Sequence, residues 1–203
     1  MWRKALDMDP DDGKAHLNLA YALSQTGQPR EALAQYRKAC DLSPDNPLAF
    51  ADFALALAQD GRADEAISNY RKSLALDSTN AGVEADLGAL LAEKGETAEG
   101  LAHLEKAVDL KPGSAAVHNK LGFALGRVGR FSEAIPQFEK AIELSGGKDW
   151  QSYDMLGSTY SRMGRPDDAI EAARRALDLA LADHNEDLAR DLRARLAAYE
   201  QTK

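Results

Sequence analysis

Apolar and polar positions in residues 13–46 fall into two helical stretches with a break between them. In GKAHLNLAYALSQTG, apolar side chains recur at Leu17, Ala20, Tyr21 and Leu23, a spacing that puts them on one side of a helix. Gly27 stops that stretch, because glycine accepts the left-handed conformation that closes a helix. Pro29 suits the first position of the next helix, where a missing N–H costs nothing. REALAQYRKACDLSP then carries Ala32, Leu33, Tyr36, Ala39, Cys40 and Leu42 on one side, until Pro44 prevents continuation. The pattern predicts a helical hairpin.

The hairpin recurs. QYRKACDLSP at 35–44 is echoed by MWRKALDMDP at 1–10, NYRKSLALDS at 69–78, HLEKAVDLKP at 103–112 and QFEKAIELSG at 137–146, each 34 residues apart, and by AARRALDLAL at 172–181 after a step of 35. A fixed period of this size marks a solenoid, in which each unit buries its apolar face against its neighbours. The predicted units are 13–46, 47–80, 81–114, 115–148 and 149–182, with Gly61, Gly95, Gly129 and Gly164 at the inner turns of the later four. Gly146 and Gly147 replace the usual proline and make a slightly longer loop, and Pro136 falls about one turn into its helix, where it does little harm.

Both ends differ. Residues 1–12 read as the second half of a repeat, with Trp2 where Tyr36, Tyr70, Leu104 and Phe138 fall, so Trp2 and Leu6 are expected to lack part of their cover. This predicts a chain cut from a longer array, with self-association through Trp2 and Leu6 as the alternative. Residues 183–203 read as a capping helix: Asp183 with Glu186 resembles a capping box, and Leu188, Leu192, Leu196 and Tyr199 form one apolar stripe, with Arg190, Asp191, Arg193 and Arg195 mostly off it.

These residues resemble the tetratricopeptide repeat. That family places a large residue at repeat position 4, Leu-Gly at 7–8, Tyr or Leu at 11, Gly near 15, Ala at 20, an aromatic at 24, Ala at 27 and Pro at 32. The first unit has His16, Leu19-Ala20, Leu23, Gly27, Ala32, Tyr36, Ala39 and Pro44; the fourth has His118, Leu121-Gly122, Leu125, Gly129, Ala134, Phe138 and Ala141. Departures are Ser73 at position 27 of the second unit, Gly100 at position 20 of the third and Ala173 at position 24 of the fifth. The resemblance implies an all-α fold, a right-handed α-α superhelix with first helices on the concave face. It also implies a protein-binding scaffold that takes a peptide or helix of a partner in that groove, without catalysis. Its lining residues would include Leu17, Tyr21, Asp52, Leu55, Asp86, Asn119, Phe123, Arg127 and Arg162, with Asp154 and Ser158 at the inward positions of the fifth unit. The carboxylate clamp of some relatives is missing: its places hold Leu17, Tyr21, Asp52, Gly82 and Asp86. The alternative reading is a regulatory or targeting region of a larger enzyme, such as a glycosyltransferase, whose catalytic domain lies upstream.

Composition narrows the partners. A net charge of −8 repels phosphate backbones, so a protein or peptide is the expected partner and nucleic acid is not. No apolar run approaches membrane-spanning length, so insertion of this region is not expected. The single cysteine, Cys40, falls where other units place Leu, Val or Ile and reads as a core thiol. His16 and His118 hold equivalent places three units apart, too far for one metal, and no His pair has the spacing of a zinc helix. Acid pairs such as Asp11-Asp12 and Asp167-Asp168 suit helix starts, where negative charge meets the dipole. No cofactor, metal or catalytic residue is therefore predicted. Compartment is undetermined by the sequence, with the cytoplasm as the default and an exported or membrane-anchored parent as the alternative.

Overall fold

The computed structural model describes residues 2–202. Among them are twelve α-helices and no strand: α1 (Trp2–Met8), α2 (Gly13–Gln25), α3 (Pro29–Leu42), α4 (Pro47–Gln59), α5 (Ala63–Leu76), α6 (Ala81–Lys94), α7 (Thr97–Leu110), α8 (Ala115–Arg127), α9 (Phe131–Leu144), α10 (Trp150–Arg162), α11 (Pro166–Ala182) and α12 (Glu186–Gln201). They gather into two compact units, one ending at Glu96 and one beginning at Thr97. In the first, α2 packs against α3 and α4 against α5; in the second, α8 packs against α9, α10 against α11, and α12 lies on α11.

The helix ends follow two different devices. Starts of α2, α4, α6, α10 and α12 are capped by Asp12, Asn46, Asn80, Asp149 and Asn185, whose side chains accept backbone N–H groups of the first turn. The starts of α5, α9 and α11 instead carry Arg62, Arg130 and Arg165, each bonded to an acid three residues on, at Glu65, Glu133 and Asp168. These exposed pairs contribute little stability and mainly organise the first turn. At the inner turns Gly27, Gly61, Gly95, Gly129 and Gly164 all have φ between 72° and 93°, the left-handed region glycine tolerates.

The expected capping box at Asp183 and Glu186 does not form. The α11 helix runs to Ala182 and makes Asp183 its C-cap; Asn185 caps α12 and accepts from the Leu188 N–H at 3.1 Å. The reason is length: with 17 residues, α11 overruns the point at which the other second helices end, and His184 turns the chain at φ 55°.

Close packing depends on small side chains. Residues at repeat positions 8, 20 and 27 are buried in every predicted unit, among them Ala20, Ala54, Gly122 and Gly157 at position 8. A Cβ on Gly122 would come within 2.9–3.0 Å of the Phe138 ring, and one on Gly157 within 3.2 Å of the Ala169 carbonyl. Ser73 departs from alanine at position 27 without harm, because its buried hydroxyl donates to the Pro47 carbonyl at 2.8 Å.

Buried histidines bind successive elements together. His16 Nδ1 meets Gln35 Oε1 at 2.6 Å and Nε2 meets the Pro10 carbonyl at 2.9 Å; His118 repeats this with Gln137 at 2.8 Å and Pro112 at 3.0 Å. Both rings thus tie the loop before a first helix to the second helix after it, which accounts for their equivalent places. Trp2 and Leu6 on α1 are partly exposed, while Tyr36, Tyr70, Leu104 and Phe138 are buried.

Gly122→Leu should lower unfolding free energy by about 2–3 kcal/mol, because the added atoms have no room beside Phe138. Gly113→Ala, with nothing within 4 Å of its Cβ, should leave the urea midpoint nearly unchanged.

Candidate functional site

Within the first unit, α2, α4 and α6 adjoin in sequence of contact, α2 to α4 and α4 to α6. Tyr21 on α2 is 58% exposed and Leu55 on α4 44%, although both are large apolar residues at the same repeat position, the ninth. Leu48, 54% exposed, lies one and two turns from Asp52 and Leu55 on the same face of α4. Leu17 differs: at 8% it belongs to the core cluster. Asp52 and Asp86, equivalent residues of α4 and α6, are half-buried. Burial holds the Asp52 carboxyl above the usual carboxylate range. Burial, then Asp86 and Asp52, pushes the Tyr70 phenol up, and burial and Asp52 do the same for Tyr36.

The second unit is built differently. Phe123 on α8 is 42% exposed at the ninth position, and Arg127 one turn on is exposed. Asn119 is committed elsewhere: its Nδ2 donates to Asp149 Oδ2 at 2.5 Å, and its Oδ1 lies 2.7 Å from the Ser152 hydroxyl. Arg162 donates to the Gly126 carbonyl at 2.8 Å and stacks on Phe131 at 4.6 Å, so it caps the C-terminal end of α8 with positive charge. Of the basic residues expected to face a ligand, Arg127 is therefore the freer.

The inward positions of the fifth predicted unit are covered by the chain itself. The Asp154 side chain is 4% exposed and receives Arg195 Nη1 from α12. Tyr199 of α12 is raised in pKa by burial first and then by Asp154, and Ser158 hydrogen-bonds it. The hydrogen bond to Asp154 raises the Arg195 guanidinium too. Sequence reasoning had Asp154 and Ser158 among inward residues and Arg195 off the apolar stripe; the ion pair between helices 41 residues apart carries no local signal. It also left out Leu48, which the repeat register identifies as a position-two residue. Cys40 is buried, and burial followed by Asp41 pushes its thiol up to about 12, far from a reactive thiolate. Among the described residues no group of three or more His, Cys, Asp or Glu could hold a metal, and no helix is long and apolar enough to cross a membrane.

Sequence models described as tetratricopeptide repeat match residues 1–34, 57–122 and 113–182, and one described as TPR repeat matches 23–61. The chain belongs to the tetratricopeptide repeat family. No curated protein matches it by sequence. Similar solved structures include MamA of Desulfovibrio magneticus (22% identity, TM-score 0.74, covering 84% of this chain and 96% of that one). YrrB, a TPR protein with an unusual peptide-binding site, aligns at 23% identity and TM-score 0.69, covering 95% and 97%. PilF of Pseudomonas aeruginosa aligns at 21% and 0.73, covering 94% and 97%. In tetratricopeptide terms, Tyr21, Leu48, Leu55 and Phe123 are exposed apolar residues of first helices, while Leu42, Leu76, Leu110 and Leu144 are exposed at the last residue of second helices.

Arg195→Ala should cost about 1–3 kcal/mol in urea unfolding, since it leaves Asp154 charged and covered without its cation. Adding Asp154→Asn should recover part of that loss, because no uncompensated charge then remains.

Proposed function

We propose that this chain is a protein-interaction scaffold whose first helices form walls for a peptide or helix of a partner. The observation that carries the reading is the exposure of Tyr21, Leu55 and Phe123, three large apolar residues at one repeat position. Leucines at the ends of second helices recur in the same way, but Tyr21, Leu55 and Phe123 lie inside first helices, where an apolar recurrence gives a docking wall its contacts. The contributing residues are Tyr21, Asp52, Leu55 and Asp86, with Leu17 beneath, in the first unit, and Asn119, Phe123, Arg127 and Arg162 in the second. Asn119 and Arg162 hold the second wall's shape through their bonds to Asp149, Ser152 and Gly126. The peptide-binding site named for YrrB, a protein of the same fold, supports this reading.

The test is selection of random 12-residue peptides displayed on phage against the immobilised full chain. The wild type should enrich a peptide family carrying large apolar residues. The triple variant Tyr21→Ser, Leu55→Ser, Phe123→Ser should bind those peptides at least about tenfold more weakly while melting near the parent temperature. Absence of any enriched family, or equal binding by both proteins, would overturn the proposal.

A further inference from the structure

We infer that the wall of the first unit takes a cationic segment, one that carries a lysine or arginine between apolar anchors and seats that cation against Asp52; this rests on the peptide-binding reading above. Leu48, Asp52 and Leu55 follow one another at i, i+4 and i+7, so a single stripe of α4 offers apolar, acidic and apolar contacts in turn. Tyr21 extends the apolar part across α2, and Asp86 and the exposed Glu93 extend the acidic part across α6. Opposing charge is scarce. No basic residue occurs in α4; Lys94 of α6 is held by Asp64; Lys14 of α2 is the remaining cation on these three helices.

Asp52 has no hydrogen bond or ion pair among the described residues, although it is half-buried. Its desolvation is incurred in the free protein, so an arriving ammonium or guanidinium meets a carboxylate already stripped for a charge-assisted bond. The chain satisfies another first-helix carboxylate in this way itself: Asp154 of α10, one repeat position earlier than Asp52, is covered by Arg195. An anionic segment, such as a phosphopeptide or a C-terminal carboxylate, would meet Asp52 as a like charge.

Three pools of acetylated, amidated nonapeptides decide the matter. Each has leucine or phenylalanine fixed at two places four apart, with the intervening residues drawn from Lys, from Gln or from Glu. Fluorescence anisotropy on the intact chain should rank Lys over Gln by about tenfold, with Glu weakest. Asp52→Asn should bring the Lys and Gln pools together. Asp45→Asn, which removes the same charge from the exposed loop between α3 and α4, should keep them apart and so exclude simple attraction to the net charge of −8. Asp52→Asn should fold at least as well as the parent above the carboxyl's titration, because an acid with a raised pKa loses native-state stability on ionising and asparagine does not ionise. Equal binding of the three pools, or a Lys preference that survives Asp52→Asn, overturns the cationic assignment while leaving the docking wall intact. No binding by any pool, or binding unaffected by Tyr21→Ser with Leu55→Ser, overturns the wall itself. Dimers that dissolve on Asp52→Asn would assign the wall to a second copy instead and overturn the inference as well.

Discussion

The structure depends on how closely neighbouring helices can approach. Helix axes draw near only where one or both side chains at the crossing are small, and here that condition recurs at three places in each repeat. Gly122 shows its force: Phe138 fills the space a Cβ would need, so the aromatic at position 24 and the glycine at position 8 are a single fitted pair. Ala20, Ala32 and Ala39 satisfy the same condition in the first repeat, each almost fully buried. Large residues then fill what the small ones leave open. Period, composition and the recurring turn glycines all follow from this crossing.

Helix packing at such range encloses polar groups, and these must find partners in the protein. His16 and His118 bridge a loop carbonyl to a glutamine on the following helix. Ser73 reaches the Pro47 carbonyl, and Asp154 meets Arg195. No fully buried side-chain nitrogen or oxygen among the described residues lacks a bond. Asp52 stands outside that rule because it is only half-buried. That exposure distinguishes it from Asp154, whose side chain is 4% exposed and paired with Arg195.

The first helices of the two units present different surfaces. On α2, α4 and α6 the surface is apolar and acidic. On α8 and α10 an exposed phenylalanine and Arg127 stand beside an arginine already spent on Gly126 and Phe131. A repeat array allows such variation, because a residue outside the crossings can change without disturbing the next hairpin. Surface chemistry is therefore free to differ along the chain while the core pattern stays in step.

The repeat, its turn glycines and the residues of the crossings were legible in the sequence, because each is set by local conformation and by a period that any one repeat displays. The ninth-position residues were legible too, once the register was known. What the sequence by itself left undecided was cover. Leu17 and Tyr21 lie one turn apart on one helix, yet the first is buried and the second exposed, since burial depends on what a neighbouring helix brings across. The end of α11, the cap at Asn185 and the covering of Asp154 by an arginine far along the chain belong to the same class. Periodicity states which side of a helix is apolar; only the packed structure states which atoms meet it, because those atoms come from residues with no fixed sequence distance to the site.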